Sequence, residues 1–367
     1  MDPFIPHKLP LDDLDFKRLF SLVGEANAEL ARYDGLLQGI VNPSVLLSPI
    51  TTQEAVLSSK IEGTQATVDE VLEHEAGILK EGEKREDIRE IINYRTALLV
   101  ATSHIKEYPL NLFLIREMHK ILLDSVRGQN KTPGEFRKDQ NWIGEHGCSM
   151  EKATYVPPSP LILQQCLSDY EAYMAFNDVD FLLQTAIVHA QFEIIHPFKD
   201  GNGRIGRILI PLFLCSKKIL SQPMFYLSEY LENNREEYIQ RLQNISKRGD
   251  WNGWIEFFLK AIISQSKENS RKVKNIMKLY EKMKDKIQSE THSQYAIQLL
   301  DFIFSKPMFQ TSDFVQKTNI HKATAMTLIR TLKNCNVLVT AREGSGRMPA
   351  VMAFPELLNI AEGKEIF

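Results

Sequence analysis

The chain has 367 residues, 43% hydrophobic and 25% charged, a composition typical of a folded protein with about two to three globular domains. With 44 basic and 47 acidic residues the net charge is −3, which argues against general binding to nucleic acid or anionic membranes. The N-terminus lacks a signal-peptide layout, no apolar run approaches the length of about 18 residues that a membrane span needs, and the four cysteines are widely separated. We therefore expect a soluble cytoplasmic protein with reduced cysteines and no membrane contact.

Helical periodicity dominates the first part of the chain. The apolar spacing predicts helices over 15–37, 51 to about 77 (two helices), 86–105 and 112–123. Thr51 and Glu54 have the spacing of a capping box at the start of the second segment, and Gly63 offers a left-handed end to its first helix. We expect residues 1–84 to form an N-terminal helical unit.

Two short extended runs follow between residues 134 and 158. They lie on either side of a turn rich in Gly, Ser and Glu, and end at Pro157 and Pro158. This pattern predicts a β-hairpin; the alternative is a loop that only covers the core.

The run from His196 to Arg207 combines a base, a carboxylate, three glycines and two arginines within twelve residues. Apolar spacing beyond Arg204 predicts a helix that begins near Gly203, so its free N–H groups point into the glycine loop and can bind an anion. Arg204 and Arg207 share one side of the first turns, where two guanidinium groups can hold successive phosphates of a polyphosphate chain. Phe198 is expected to anchor the loop in the core.

Two other interpretations of this region compete. Gly201 to Gly206 matches the dinucleotide motif G-x-G-x-x-G, but that motif must follow a β-strand, and residues 180–195 predict a helix. His189, Glu193 and His196 lie at i, i+4 and i+7, a spacing that could hold the metal of a hydrolase. Tight binding of zinc or iron would favour this second alternative.

The run His196-Pro-Phe-x-Asp200-Gly-Asn-Gly-Arg204-x-x-Arg207 resembles the complete signature of the Fic family. The resemblance implies a helical domain that transfers AMP from ATP to a Ser, Thr or Tyr hydroxyl of a target protein, with Mg²⁺. It implies that His196 is the catalytic base and that Asp200 holds the metal. The nucleotide-binding residues implied by the loop are Gly201, Asn202, Gly203, Arg204, Ile205, Gly206 and Arg207.

Ser58-x-x-x-Glu62-Gly63 resembles the inhibitory helix motif of Fic proteins. The resemblance implies that Glu62 pairs with Arg207 and competes with the γ-phosphate, so that ATP binds with its α-phosphate out of line. Glu62 is thus also a residue of the nucleotide site. Because Ser58, Glu62 and Gly63 precede the core, the chain resembles the class whose inhibitory helix is N-terminal and in the same polypeptide, and in a homodimer that helix could act on its own chain or on its neighbour's. By the same resemblance, the segment 134–158 is a flap to which a target protein docks as an added strand.

The adenine side of the site is predicted from the segment that follows. Residues 226–230 and 234–238, in a predicted helix over 227–248, resemble the part of Fic proteins that lines the adenine pocket. Tyr238 is the candidate adenine contact, with core packing as its alternative.

The C-terminal part predicts a long charged helix and a small domain. Helices over 295–304, 312–317 and 322–333, followed by strands over 337–341 and 350–354, resemble a winged helix-turn-helix. Its basic residues make DNA binding possible, although a protein-contact or regulatory role is favoured because the third helix has few residues for base contacts. These basic residues are Lys322, Arg330, Lys333, Arg342 and Arg347.

Together these patterns predict a mainly α protein with a Fic helical bundle, a β-hairpin flap, an N-terminal inhibitory unit and a C-terminal winged helix. The predicted divisions are 1–84, 85–250 (catalytic core), 251–290 (linker helix) and 291–367. The predicted function is an autoinhibited protein adenylyltransferase, and the resemblance makes a homodimer the expected assembly. The alternatives are a Fic-type enzyme that transfers another nucleotide or removes AMP, the metal-dependent hydrolase, and a DNA-binding regulator.

Overall fold

The computed structural model describes residues 2–78, 84–124, 126, 130–145, 147–346, 348–363 and 365. Within these residues the chain is mostly helical. The helices of the first part are α1 (Phe16–Gln38), α2 (Pro43–Leu46), α3 (Ser48–Ile61), α4 (Val68–Glu75), α5 (Lys84–His104), α6 (Leu112–Leu122), α7 (Pro160–Ala175) and α8 (Phe181–Ile195). The helices of the second part are α9 (Asn202–Ser216), α10 (Ser228–Asn233), α11 (Arg235–Arg248), α12 (Trp251–Thr291), α13 (Ala296–Ser305), α14 (Thr311–Thr318), α15 (Lys322–Asn334) and α16 (Pro355–Glu362).

The chain divides into two compact units. The first consists of Met1–Gly35, Leu57–Thr64 and Arg89–Lys267, and the second of Leu36–Val56, Gln65–Ile88 and Glu268–Phe367. Both α3 and α12 contribute residues to both units. The domain boundaries predicted from the sequence stay a prediction.

The pair α8 and α9 forms the centre of the first unit. Helix α8 is apolar on nearly all sides and buried along its length, which is typical of a helix enclosed by others. Helices α7 and α11 pack against α8, and α6 packs against α9. The glycine loop lies between the end of α8 and the start of α9, and the fully buried Phe198 anchors it in the core, as predicted.

The predicted capping box at Thr51 and Glu54 is wrong. Helix α3 begins at Ser48, and the N–H of Thr51 already donates to the carbonyl of Leu47 at 3.1 Å, so no side-chain cap is needed there. The capping box lies instead at the start of α4. There Glu70 N–H donates to the Thr67 hydroxyl at 3.4 Å, and Thr67 N–H donates to the Glu70 carboxylate at 3.0 Å.

The helix predicted over 227–248 is interrupted. The side-chain amide of Asn234 donates to the carbonyl of Tyr230 at 2.8 Å, and the break at this residue separates α10 from α11. Sequence periodicity missed the break because an apolar pattern can continue across a single non-helical residue.

The predicted hairpin within 134–158 is reduced to one antiparallel bridge. Ile143 N–H donates to the Tyr155 carbonyl at 2.9 Å, and Tyr155 N–H donates back at 3.1 Å. A short 3₁₀ helix (Met150–Lys152) occupies part of the turn, and His146 lies outside the described residues. Pro157 and Pro158 lack the N–H groups that would extend the pairing.

The second unit contains the predicted C-terminal helices and a small antiparallel sheet. Its strands are β1 (Met308–Gln310), β2 (Val339–Arg342) and β3 (Val351–Ala353), in the order β1-β3-β2. The sequence pattern did not predict β1 or α16, and the winged-helix class stays a prediction. The second half of α12, predicted as a charged bridge between domains, has fully buried side chains at Val273, Ile276, Met283 and Ile287.

The basic residues of this unit differ in their surroundings. Lys322, Arg330 and Lys333 are exposed, whereas the guanidinium of Arg342 donates to the carbonyls of Gly77 and Pro349. Arg347 lies outside the described residues. In the part of the chain that is described, no helix is long and apolar enough to cross a membrane, and all four cysteines are free thiols.

Candidate active site

His196 follows the last residue of α8 and has a left-handed backbone, with φ 48° and ψ 60°. Its Nδ1 lies 3.3 Å from the carbonyl oxygen of Glu193. Because a carbonyl can only accept, the proton resides on Nδ1, which leaves a lone pair on Nε2. Burial lowers the pKa of His196 to about 4, so the imidazole is neutral near pH 7 and can act as a base.

The glycine loop is braced by His119, which the sequence analysis missed. Its Nδ1 accepts from the N–H of Gly134 at 2.8 Å, so its Nε2 carries the proton and donates to the carbonyl of Asp200 at 3.0 Å. Burial lowers the pKa of His119 to about 4, which keeps this neutral form. The ring stacks on Phe198 with a centroid distance of 3.7 Å. No local sequence pattern around His119 indicated this role.

Asn202 closes the loop on itself. Its side-chain oxygen accepts from the N–H of Phe198, and its amide donates to the carbonyl of the same residue, both at 2.9 Å. The side chain is 2% exposed. Its amide therefore maintains the shape of the loop, which leaves the N–H groups at the start of α9 as the candidate donors to an anion.

Asp200 is the carboxylate of the loop. It accepts from the N–H of Gly201 at 2.6 Å, lies 3.6 Å from the guanidinium of Arg204, and is 42% exposed. Gly201 itself has φ 74°, which a glycine adopts without strain. The loop thus presents a hard oxygen ligand to solvent next to the N-terminus of α9.

Arg207 is bound by both predicted inhibitory side chains. Its Nε donates to the Ser58 hydroxyl at 2.8 Å. One of its terminal nitrogens donates both to the Ser58 carbonyl at 2.9 Å and to Glu62 Oε1 at 2.6 Å. Removal from solvent alone would raise the pKa of Glu62, but the charge and hydrogen bond of Arg207 lower it. A Cβ on Gly203 would overlap Glu62 Oε1. The Glu62 carboxylate therefore occupies the space at the start of α9.

The end of α3, the predicted inhibitory helix, is held by contacts from α10 and α11. Gly63 has φ 99° and ends α3, as predicted. Arg235 donates two hydrogen bonds to the carbonyl of Ile61, at 3.1 and 3.2 Å, and Lys60 pairs with Glu232 at 3.1 Å. Arg235 and Lys60 were not predicted, because their partners are more than 170 residues away in the chain.

Arg204 forms a buried ion pair with Glu90. Its guanidinium lies 2.8 Å from Glu90 Oε2, and both side chains are about 5% exposed. The carboxylate also accepts from the Thr64 hydroxyl at 3.2 Å. The ion pair thus connects α9 to α5, and the other terminal nitrogen of Arg204 lies 3.6 Å from the Asp200 carboxylate.

We expect Arg204→Met to lower the free energy of unfolding by about 3 kcal/mol, because removing one partner of a buried ion pair is strongly destabilising. Urea denaturation measures the change. Arg241→Met is the matched control, since Arg241 pairs with Glu237 on the surface and its loss should cost less than about 1 kcal/mol. Equal losses in the two variants would contradict the assignment of a structural ion pair.

Ile205 and Gly206 belong to the packed side of α9. Ile205 is fully buried, and a Cβ on Gly206 would overlap Glu193 Oε1. The carbonyl of Gly206 accepts from His189 Nδ1 at 3.0 Å. These residues support the loop from behind through packing and backbone contacts.

Tyr238 and His189 form a buried hydrogen-bonded pair. Because His189 Nδ1 donates to a carbonyl, its Nε2 accepts from the Tyr238 hydroxyl at 2.9 Å. Tyr238 is 3% exposed, and the centroid of its ring lies 6.0 Å from the ring centroid of Trp254. It also borders a cleft together with His196 and Arg207. Both ring nitrogens of His189 are used, which argues against the metal site predicted with Glu193 and His196. Among the described residues no cluster of three such ligands is found.

Several of these residues, His196, Glu62 and Arg207 among them, border a cleft of about 510 Å³. Its lining residues are Ile61, Glu62, Trp142, Ile143, Gly144, Thr154, Tyr155, Glu193, Ile194, His196, Gly203, Arg207, Arg235, Tyr238, Ile239, Leu242, Gln243 and Ser246. The cleft is thus bordered by charged groups of the glycine loop and of α3, and by apolar residues of α11 and of the segment 134–158. Burial raises the pKa of Glu193 to about 8, and among the described residues its buried Oε1 has no hydrogen-bond partner.

Two family models match the chain. The model described as "Fic/DOC family N-terminal" matches residues 20–103, and the model described as "Fic/DOC family" matches residues 109–214. Together they span slightly more than half of the chain and include the inhibitory motif and the glycine loop.

Curated relatives are named as adenylyltransferases. A probable protein adenylyltransferase of Aquifex aeolicus is 26% identical over 200 residues, covering 54% of this chain and 55% of that protein. The protein adenylyltransferase Fic of Drosophila grimshawi is 29% identical over 214 residues, covering 56% of this chain and 38% of that protein. The chain therefore matches only about half, or less, of the length of these relatives.

Solved structures share the fold. A Fic family protein from Desulfovibrio desulfuricans G20 superposes with a TM-score of 0.59 at 18% identity, covering 95% of this chain and 98% of that one. A fragment of Fic-1 from C. elegans superposes with a TM-score of 0.51 at 19% identity, covering 68% of this chain and 71% of that one. At these identities the likeness concerns the fold alone.

Proposed function

The chain belongs to the Fic/DOC family, and on that premise we propose that it is an autoinhibited adenylyltransferase that transfers AMP from ATP to a hydroxyl side chain of a protein. The observation that carries the proposal is the arrangement around Arg207. A neutral histidine faces the same cleft as a helix N-terminus and a guanidinium that is engaged by Glu62. The names of the curated relatives support the reaction class.

The chemistry follows from the groups present. His196 Nε2 accepts the proton of a Ser, Thr or Tyr hydroxyl, and the oxygen attacks the α-phosphorus of ATP. The bond to the β-phosphate oxygen breaks, so AMP becomes an ester of the target and pyrophosphate leaves. The N–H groups at the start of α9 stabilise the charge on the phosphate oxygens.

Magnesium fits the donors of the site. The half-exposed Asp200 carboxylate is the kind of single protein ligand that Mg²⁺ uses together with waters and substrate phosphates. When bound, the ion neutralises charge on the phosphates. The hydrogen bond from Gly201 N–H fixes the orientation of the Asp200 carboxylate. The hydrogen bond from His119 Nε2 to the carbonyl of Asp200 fixes its backbone.

Inhibition follows from competition for Arg207. Glu62 and Ser58 together engage the Nε and one terminal nitrogen of Arg207, and the carboxylate also occupies the space beside Gly203. A γ-phosphate would need the same guanidinium. We propose that Glu62 thereby keeps ATP from the orientation required for transfer.

The target protein is proposed to dock on the segment 134–158. Its single bridge between Ile143 and Tyr155 leaves backbone groups that an extended target segment could pair with beside the cleft. Backbone pairing carries little sequence selectivity. The homodimer, the cytoplasmic location and DNA binding by the second unit stay predictions.

We expect Asp200→Ala to make transfer very slow and insensitive to added Mg²⁺. The ion would lose its protein ligand and would no longer fix the geometry of the triphosphate. The measurement is incorporation of label from α-labelled ATP into protein across a Mg²⁺ series, in a Glu62→Gly parent. Asp139→Ala is the matched control, since Asp139 is an exposed carboxylate near the loop that pairs with Lys199. Full Mg²⁺-dependent activity of Asp200→Ala would show that Asp200 only supports the loop.

A further inference from the structure

We propose that Arg137 is a positioning residue for His196, holding the backbone of the histidine in its left-handed conformation without contacting the nucleotide. The inference rests on the proposed function, because its effect is measured on AMP transfer. No sequence pattern pointed to Arg137, which lies 59 residues before the histidine.

The guanidinium of Arg137 is used almost entirely on backbone carbonyls around the end of α8. Its Nε donates to His196 O at 3.0 Å, and one terminal nitrogen donates to Ile195 O at 3.3 Å and to Pro158 O at 2.6 Å. The other terminal nitrogen donates to Asp139 O at 3.3 Å. The side chain is 3% exposed, so these carbonyls replace water as its partners.

The backbone around the histidine needs such partners. The last carbonyls of a helix have no intrahelical donors, and a left-handed conformation costs a residue other than glycine roughly 1–2 kcal/mol. Arg137 supplies donors to Ile195 and His196, and its own N–H donates to Pro197 O at 2.9 Å. Its positive charge also complements the negative end of the α8 dipole. The conformation that directs the imidazole into the cleft is thereby stabilised.

Asn141 contributes from the same segment. Its side-chain amide donates to Phe198 O at 3.1 Å and to His196 O at 3.4 Å. We call Arg137 and Asn141 together the histidine clamp. Both precede the bridge residue Ile143, so the clamp joins the base of the proposed docking segment to the backbone of the histidine.

The clamp is separate from the nucleotide site. Arg137 is absent from the lining of the cleft, whereas Glu62, Gly203 and Arg207 border it directly. The planar fork of an arginine also matters, because a lysine brings the charge but cannot donate to several carbonyls in fixed directions. Loss of the fork should therefore displace the base while the phosphate site remains.

The test compares Arg137→Lys, Arg137→Met and Asn141→Ala in the Glu62→Gly parent. We expect the self-adenylylation rate at saturating ATP and Mg²⁺ to fall about tenfold for Arg137→Lys and about a hundredfold for Arg137→Met, since a misplacement of about 1 Å costs this much. The Kd of α,β-methylene-ATP, measured by calorimetry, should stay within about twofold of the parent. Asn141→Ala should give the smallest decrease.

Gln184→Met is the matched control. Gln184 is also buried and its amide donates to two backbone carbonyls, those of Tyr173 and Phe176, both at 2.8 Å. It lies near the start of α8, about 18 Å along the helix from His196. Its loss should lower the thermal unfolding midpoint without changing the transfer rate.

Two outcomes would overturn the clamp. One is a transfer rate within threefold of the parent in both Arg137 variants. The other is a Kd that weakens in step with the rate, which would place Arg137 in nucleotide binding. If Arg137→Met does not fold, Arg137→Lys and Asn141→Ala decide.

The proposed function can fail separately from the clamp. A Glu62→Gly parent that transfers no AMP contradicts the function alone. The clamp is then tested by the imidazole NMR signals of His196, which should shift in Arg137→Lys and remain in place in Gln184→Met. Unshifted signals in Arg137→Lys would overturn the clamp on their own.

Discussion

Glu62→Gly should raise the rate of AMP transfer, including self-modification, by roughly a hundredfold. The Glu62 carboxylate lies 2.6 Å from the Arg207 guanidinium and occupies the space beside Gly203, so its removal frees both the cation and the start of α9. A charge-assisted pair of this kind can hold back a competing ligand pose by a few kcal/mol, and about 2.7 kcal/mol corresponds to a factor of one hundred. Incorporation of label from α-labelled ATP measures the rate.

Three further variants separate charge from shape. Arg207→Ala in the Glu62→Gly background should lower the rate again, because the γ-phosphate loses its guanidinium. Glu62→Gln should relieve inhibition only in part, since it retains the volume next to Gly203. Ser58→Ala removes the hydrogen bond that Arg207 Nε donates to the Ser58 hydroxyl but keeps the bonds to Ser58 O and Glu62, and it should have a smaller effect than Glu62→Gly. An unchanged rate in Glu62→Gly would mean that α3 is ordinary scaffold.

His196→Ala should reduce transfer by about two orders of magnitude or more while nearly preserving ATP binding. The imidazole supplies the base for the attacking hydroxyl, whereas the loop, the α9 N-terminus and Arg207 supply the contacts to phosphate. The neutral form with a free Nε2 is set by the bond from Nδ1 to Glu193 O and by burial. Rate and nucleotide Kd are measured together in the Glu62→Gly parent.

His119→Gln provides the comparison for this variant. His119, on α6, also contacts the glycine loop, but its nitrogens bind backbone groups of Gly134 and Asp200 and it does not border the cleft. We expect His119→Gln to lower the free energy of unfolding and to weaken ATP binding, with a smaller effect on proton removal from the target hydroxyl. Residual transfer within a few-fold of the parent in His196→Ala would remove His196 from the mechanism.

The helical organisation was largely predictable from the sequence. Apolar periodicity located α1, α5, α6 and α8 to within about two residues, because a strong hydrophobic stripe sets which residues are buried. Local capping was less predictable. At Thr51 the preceding turn already supplied a backbone acceptor, so the side-chain pattern had no structural consequence.

The site was predictable where a short motif contains all of the chemistry. The predicted contact of Glu62 with Arg207 is present, and His196 borders the same cleft, since the loop and α3 are continuous segments. The roles of His196 and Asp200 stay predictions. Asn202 and Arg204 illustrate the limit. Their residue types suit phosphate, yet the fold uses one to close the loop and the other to pair with Glu90.

The supporting residues could not be found from the sequence. His119, Arg137 and Arg235 each bind a backbone group that is 59 to 174 residues away in the chain. Such contacts depend on tertiary structure and leave no periodic pattern. Glu193 was predicted as a possible metal ligand, whereas it lines the cleft with a buried oxygen that no described residue hydrogen-bonds.

The most direct test of the account is mass spectrometry of proteins after incubation of the Glu62→Gly variant with ATP, Mg²⁺ and cell lysate. We predict that peptides gain one adenylyl group on a Ser, Thr or Tyr hydroxyl, that the unsubstituted protein gives far less of this product, and that Glu62→Gly with His196→Ala gives none. Absence of adenylylated peptides in the Glu62→Gly sample, with the protein folded and binding ATP, would contradict the assignment of this site to protein adenylylation.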